Sequence, residues 1–438
     1  MKSFFTDLHL HSPHSIAVSQ SLNLDTMVKT CKKKGLDIIG TGDILQPDWQ
    51  EYMEKNLEKD QHGAYKYKDI HFILQSEIED KATTHQVVFF PDFDTVKEAQ
   101  TKLKPYSKNI LDEWGGRPRV NLSPPELVDK ITDLGGVIGP AHAFTPYRAI
   151  FRQGRFDTLQ DCYQDAVDKV LFLELGLSAN TNLADRMESL KDISFLSNSD
   201  AHSQKPYSLG REFNEFQIDS PTFEEILLAL QRKDGRKITL NVGLHPKLGK
   251  YYNMFCGKCR RRVMFIKSNK KSFIKFSQYS ITDDFINYYV DNPLSARKNY
   301  IQYAAKGKMV CPACKEKTGN NYKIKLGVSE RIEVISSYKE PKHPSHRPPY
   351  INAIPLIDII RSLEGIKSRN SKTVKKAYNK ILDKFGTEYS ILLNLPIEEI
   401  KKYNVNISEV IRLFRNNEMQ YTAGGGGTYG NIEINADS

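Results

Sequence analysis

The segment Thr6-Asp7-Leu8-His9-Leu10-His11-Ser12-Pro13-His14 most constrains what this chain can become. An apolar run ends there in three histidines, two of them separated by one residue. In extended backbone the side chains at i and i+2 point to one face, so His9 and His11 can meet a single metal ion. One such pair near a terminus is easily chance. Here it has company in Gly40-Thr41-Gly42-Asp43, Ser76-Glu77, Thr84-His85, Pro140-Ala141-His142 and Ser199-Asp200-Ala201-His202. Six of the 11 histidines fall in these places or in the first segment, and most of the places adjoin a short β-rich apolar run.

From Phe4 to about Leu244, such runs alternate with amphipathic helical stretches. Ser123 before Pro124 reads as a helix N-cap with proline at the first helical position, and Asn180 or Asn182 reads as a second cap. Repeated strand–helix alternation predicts a parallel α/β fold, either a barrel or a doubly wound sheet. Most of the candidate ligands close a strand at its carboxyl end. A closed ring gathers side chains from many strands onto one face, whereas a doubly wound sheet concentrates them at one switch point. The pattern therefore favours the barrel.

Imidazole nitrogens and carboxylate oxygens together suit zinc, manganese or iron. The candidates are His9, His11, His14, Asp43, Glu77, His85, His142, Asp200 and His202. They exceed what one tetrahedral ion uses, so two or three ions are expected, with Glu77 bridging. Clustered ions lower the pKa of bound water and clamp both oxygens of an in-line displacement at phosphorus. Phosphoester hydrolysis is the reaction expected, with Asp200, Glu77 and His142 as catalytic residues.

Beyond Leu244 the pattern changes. Cys256-Gly257-Lys258-Cys259 and Cys311-Pro312-Ala313-Cys314 form two CxxC knuckles, the signature of one closed four-thiolate structural zinc site. A redox pair is the competing reading, but no thioredoxin-like pattern surrounds either knuckle. Between them, Arg260, Arg261, Arg262, Lys267, Lys270, Lys271 and Lys275 interleave with Phe265, Phe273 and Phe276. That pattern suits phosphate neutralisation with base stacking; a solvated basic face over core phenylalanines is the alternative. Arg261 and Lys270 are the candidate DNA contacts. A proline-rich linker, Lys339 to Pro349, leads to a tail that is helical by pattern. A glycine run, Gly424–Gly427, precedes Tyr429; it is either a flexible linker or a loop whose backbone approaches a ligand closely.

The set of ligand motifs resembles the PHP family, named for its polymerase and histidinol phosphatase members. The resemblance covers residues 1 to about 245. It implies a distorted (β/α)7 barrel with a trinuclear site, in which His9, His11, Glu77 and Asp200 surround one ion. Glu77, His85 and His142 would surround a second, and His14, Asp43 and His202 a third. The order of parts, from barrel through four-cysteine zinc module (246–335) to helical C-terminal domain (336–438), is similar to the endonuclease Q family of DNA-repair nucleases. The motifs that carry this likeness are LSNSDAHS (196–203), GPAHAF (139–144), LELGLS (173–178), the paired knuckles and HRPPY (346–350). It implies cleavage 5′ to a deaminated base (uracil, hypoxanthine or xanthine) or an abasic site, leaving a 3′-hydroxyl. It further implies Mg2+ or Mn2+ stimulation over tightly held Zn2+. Tyr429 is expected to stack on the extruded base.

The 438 residues suggest two or three domains, and the net charge of +10 favours a polyanionic partner, nucleic acid first and anionic membrane second. No apolar run reaches the ~18–20 residues of a membrane helix. Cysteine usage fits a reducing compartment, so a cytoplasmic monomer is expected, with a sliding clamp as a candidate recruiting partner. The alternatives are a phosphatase or phosphodiesterase acting on a small metabolite, which leaves the zinc module and basic surface without purpose, and a non-catalytic nucleic-acid-binding protein.

Overall fold

The computed structural model describes residues 1–268 and 279–433. The fold is mixed α/β. Strand Lys2–Asp7 lies parallel to Ile38–Gly40, which lies parallel to the strand Ile70–Glu79. Ile70–Glu79 pairs antiparallel with His85–Phe90, which in turn pairs antiparallel with Val137–Pro140. Phe172–Glu174 and Ser194–Leu196 form a separate parallel pair.

Hydrogen bonds just beyond the strand ends join that pair to its neighbours. Ala143 N donates to Glu174 O at 2.9 Å, and His11 N donates to Ala201 O at 3.0 Å across a parallel Leu10–Ala201 bridge. Seven strands thus follow one another in a ring, and these joins lie at its carboxyl rim. The all-parallel expectation fails at one strand, His85–Phe90, which runs the other way. The reversal has a use: it puts the strand's first residue, His85, at the rim where the other strands end.

A sheet extension continues from the outer side of Lys2–Asp7 through Phe213–Ile218 and Lys237–Gly243 to Tyr350–Asn352. The buried amide of Asn214 accepts from Ser197 N at 2.7 Å and donates to Ser197 O at 3.0 Å, fastening this extension to the last ring strand.

The first knuckle begins on strand Phe255–Cys256 of a five-stranded sheet ordered Tyr279–Ile281, Phe285–Val290, Arg262–Lys267, Phe255–Cys256, Ile324–Lys325, and the second opens the helix Pro312–Thr318, with Cys311 as its N-cap. Helices Leu356–Leu363, Lys372–Phe385 and Val405–Arg415 bury a common apolar set that includes Ile360, Tyr378 and Ile411. A buried ion pair, Lys34 Nζ to Glu388 Oε1 at 2.7 Å, ties this helical part to the helix Leu24–Lys34.

The stretch 339–349 is not a free linker. Arg347 stacks 3.4 Å from the centre of the Phe195 ring, pairs with buried Asp185 at 2.9 Å and donates to Leu190 O and Ile193 O. His343, exposed in the same stretch, sits 2.6 Å from the same carboxylate. Proline richness fixed an extended path here, and the guanidinium anchored it. Among the described residues, no helix is long and apolar enough to cross a membrane.

Candidate metal centre

Each candidate ligand is delivered by backbone that the ring of strands leaves little choice. Asp43, His142 and Asp200 lie just past strand ends with positive φ of 43°, 30° and 48°. Such conformations are costly for non-glycine residues and persist where the surroundings impose them.

Neighbouring carboxylates set the tautomers of the paired histidines. His9 Nδ1 donates to Glu174 Oε2 at 2.7 Å and His11 Nδ1 donates to Asp43 Oδ1 at 2.9 Å. Both rings therefore turn Nε2 inward. His9 Nε2 is buried with no hydrogen-bond partner, 3.8 Å from Glu77 Oε1 and 3.7 Å from Asp200 Oδ1. His11 Nε2 lies 3.0 Å from Asp200 Oδ1 and 3.5 Å from Glu77 Oε2. His85 Nδ1 and His142 Nε2 approach Glu77 Oε1 at 2.8 and 3.1 Å.

Three sets have ligand atoms mutually within 4.8 Å: His9, His11 and Glu77; Glu77, His85 and His142; and His11, Asp200 and His202. Glu77 belongs to two sets and so does His11. A buried imidazole nitrogen without a partner, facing two carboxylates, fits a metal ion well.

Burial would lower the pKa of His9, but Glu174, Asp200 and Glu77 outweigh it and raise the ring to about 10. Burial would raise Glu77, yet Arg117 and His85 hold it well below the usual carboxylate range. Asp200 is held low in the same way, against burial, by His202, His11 and His9. The site is a crowd of carboxylates that draws cations, protons or metal ions alike.

Two predicted ligands stand apart. Asp43 accepts from His11 and, through Oδ2, from Ser12 N at 2.6 Å and Ser12 Oγ at 2.8 Å, so it orients His11. His14 joins none of the three sets, its Nδ1 donating to Glu113 O at 2.8 Å. The third set is instead completed by His11 and Asp200 beside His202. Pro13 redirects the chain after His11, which spacing alone did not reveal. The sequence reading also missed Glu174 and Arg117. Arg117 Nε contacts Glu77 and its Nη2 lies 3.3 Å from His11 Nε2.

The centre opens into a cavity of about 530 Å³ whose wall includes His142, Asp200, His202, Arg211, Lys250 and Tyr429. Arg211 donates to Ser199 O at 2.8 Å and to the Tyr429 hydroxyl at 2.9 Å. Burial would raise the Tyr429 phenol, but Arg211 and Lys250 draw its pKa below the ordinary value. The glycine run before it approaches the protein's own chain: Gly424 N donates to Lys247 O at 2.7 Å and Gly430 N to Leu248 O at 3.0 Å. A Cβ on Gly426 would lie 1.9 Å from Arg260 O, so no larger residue fits there.

The knuckles meet. Cys256 and Cys314 Sγ are 3.7 Å apart, as are Cys259 and Cys311, and all four sulfurs lie within 4.8 Å of one another. Sulfurs about 2.3 Å from a tetrahedral zinc stand about 3.8 Å apart, so the four thiolates fit that ion. A hydrogen bond with Cys311 and the N–H groups of Cys259 and Lys258 draw the Cys256 thiol toward thiolate. Arg261 lies beside this site, donating to Thr282 O at 2.6 Å. Arg262, by contrast, is buried over Phe285 and donates to Ala423 O at 3.0 Å. Lys270, Lys271, Lys275, Phe273 and Phe276 lie outside the described residues.

A family profile described as the MJ0043 C-terminal domain matches residues 355–418. The Methanocaldococcus jannaschii protein MJ0043 is 36% identical over 304 residues, which is 68% of this chain and 32% of that protein, so the chain spans about a third of its length. The Bacillus subtilis protein YqxK is 29% identical over 453 residues, covering 99% of this chain and all of its own. The crystal structure of a lesion-specific endonuclease from Pyrococcus furiosus, PfuEndoQ, is 37% identical, covers 100% of this chain and 96% of its own, and superposes with a TM-score of 0.82. An endonuclease Q bound to a 27-mer duplex with an abasic lesion at the active site is also 37% identical, covers 100% and 98%, and gives 0.84.

Proposed function

The chain belongs to the endonuclease Q family, and from that premise we propose that it is a metal-dependent DNA-repair endonuclease. Its reaction is hydrolysis of the phosphodiester on the 5′ side of a deaminated base (uracil, hypoxanthine or xanthine) or an abasic site. Water adds to phosphorus, the P–O3′ bond breaks, and a proton passes to the leaving oxygen, giving a 3′-hydroxyl and a 5′-phosphate. The observation that carries this reading is the convergence of three ligand sets, sharing Glu77 and His11, on a cavity walled by arginine, lysine and tyrosine.

We read the seven-strand ring as a PHP barrel over residues 1–245, followed by a zinc module (246–335) and a helical recognition domain (336–438). Bound ions would supply Lewis acidity and lower the pKa of the attacking water. Glu77 holds two ligand sets in register, Asp200 and His202 face the cavity, and His142 stands at its wall. Arg211 and Lys250 give the cavity positive potential for a polyanion. Zinc is assigned to the thiolates and to the barrel, with Mg2+ or Mn2+ at the more exchangeable positions. Four thiols held for metal support a reducing, cytoplasmic setting.

A nuclease that reads a damaged base extrudes it from the stack, a step that costs least where pairing is already weakened. Tyr429, seated between Arg211 and Lys250, is the proposed stacking platform. The related complex, with an abasic lesion at its active site, supports reading the lesion as the feature recognised at this centre. Labelled duplexes carrying one uracil, hypoxanthine or abasic site test the proposal. Nicking 5′ to the lesion is expected, and turnover of free phosphomonoesters alone would overturn it.

A further inference from the structure

One loop has no part in the reaction as described so far. Residues 107–120 connect the helix Phe93–Leu103 and its short 3-10 extension to the helix Pro124–Asp133. We propose that this loop is a DNA-engaging arm: Arg117 takes a non-bridging oxygen of the scissile phosphodiester, and Trp114 stacks on a neighbouring base. The proposal rests on the endonuclease reading above.

The arm is fastened on both sides of Arg117. Gly116 N donates to His14 O at 3.2 Å, and Asn109 Nδ2 donates to Arg117 O at 3.3 Å. Glu79 N donates to Pro118 O at 2.9 Å and Val120 N to Glu79 O at 2.8 Å, so the arm is stitched to the strand that carries Glu77. A Cβ on Gly116 would come within 2.5 Å of Ser15 Oγ and 2.8 Å of Asp43 Oδ2. The chain therefore lies flush against the carboxylate that orients His11, and only glycine allows it. The next residue, Arg117, is thereby delivered to Glu77 and His11 at the cavity wall.

A guanidinium held beside ion-binding groups adds positive charge where ions already gather. That arrangement is favourable when an anion arrives to share them. A guanidinium also has five N–H donors in a planar fork matched to phosphate oxygens. Charge that builds on those oxygens during in-line displacement would be met by a donor already in place.

Trp114 stands three residues earlier, so its Cα is at most ~11 Å from that of Arg117. Its side chain is 54% exposed, whereas the second tryptophan, Trp49, is 4% exposed and donates Nε1 to Thr41 O at 3.1 Å. Ile16, 76% exposed, follows His14 by two residues, on the segment that receives Gly116 N. Large apolar side chains on both segments thus flank the fastening beside the metal centre. An indole there offers a stacking face that any base accepts.

The test uses metal-loaded full-length protein and a lesion duplex whose scissile linkage is either a charged phosphorothioate or an uncharged methylphosphonate. Binding should change tryptophan fluorescence in the wild type, and Trp114→Phe should remove that change. Trp114→Ala should weaken binding about tenfold. Arg117→Gln should lower kcat on the natural linkage about 100-fold and abolish the preference for the charged analogue, with metal content unchanged. Arg117→Lys should recover only part of each. A fluorescence change that survives in Trp114→Phe, or unaltered affinity in Trp114→Ala, would refute the stacking. Wild-type kcat in Arg117→Gln, or metal loss from both Arg117 variants, would leave Arg117 as a support for Glu77 and overturn the phosphate role. Failure of the endonuclease reading itself would look different: the wild type would neither nick nor prefer the lesion duplex, and the arm would fall with it.

Discussion

His9 Nδ1 donates to Glu174 Oε2 at 2.7 Å, and this bond leaves Nε2 as the one nitrogen of the ring available to an ion. Carboxylates that fix a ligand histidine in this way typically matter to metal affinity by about 10–100-fold. Glu174→Ala should weaken barrel metal binding by that order, measured by chelator competition. Glu174→Gln keeps an acceptor oxygen and should lose less.

Glu77 belongs to two ligand sets and Asp200 faces the cavity from a third. Glu77→Ala and Asp200→Ala should lower cleavage by about a thousandfold or more. Affinity for a lesion duplex should stay within about threefold, because the Arg211 and Lys250 cations that attract the polyanion remain. Gel-shift titrations beside nicking assays read both quantities, and parallel loss of both would contradict separate roles.

The four sulfurs stand at tetrahedral zinc spacing between a small sheet and the helix Pro312–Thr318, over a modest core. Cys311→Ser should release that zinc and lower the melting temperature by roughly 5 °C or more. Nicking should persist at low temperature, since the barrel ligands do not touch the knuckles. Calorimetry with zinc analysis checks this.

Tyr429 is held in the cavity wall by the Arg211 bond and by the fastened glycine run. Tyr429→Ala should reduce preference for a lesion over an intact duplex about tenfold. Deleting residues 420–438 should abolish that preference with the barrel metals retained. Competition nicking on mixed duplexes measures the effect.

Glu212 is buried, with one carboxyl oxygen accepting from Leu244 N at 2.9 Å. Burial pushes its pKa up to about 8. An acid raised on folding binds more protons folded than unfolded, so stability falls as pH rises from about 4.5 to about 8 and then levels. Glu212→Gln removes that slope. Its melting temperature should gain on the wild type across that window and gain no more above it.

The sequence made the strand-end ligands legible because a two-residue period and a strand terminus both leave marks in the letters. His9, His11, Glu77, His85, His142, Asp200 and His202 all come together. Glu174 and Arg117 left no such mark. Glu174 lies in the LELGLS motif but at no ligand spacing, Arg117 in an ordinary loop, and only the closing of the ring or the docking of that loop gives each its partner. His14, grouped with the ligand histidines by adjacency, joins none of the three sets. The stretch 339–349 misled by composition: its prolines speak of an extended path, and nothing local says that Arg347 will find Asp185 and Phe195 more than 150 positions earlier.

Tyr350–Asn352 lies against Lys237–Gly243 as an added strand. During synthesis the earlier strand emerges about a hundred residues before its neighbour, a delay of roughly 5–20 s at common elongation rates. For that time an open row of amides and carbonyls faces solvent, with the sticking hazard that any bare margin of a sheet carries. Truncation after residue 245 would make this transient hazard permanent, so the nascent chain depends on its own distant tail for solubility as well as for chemistry.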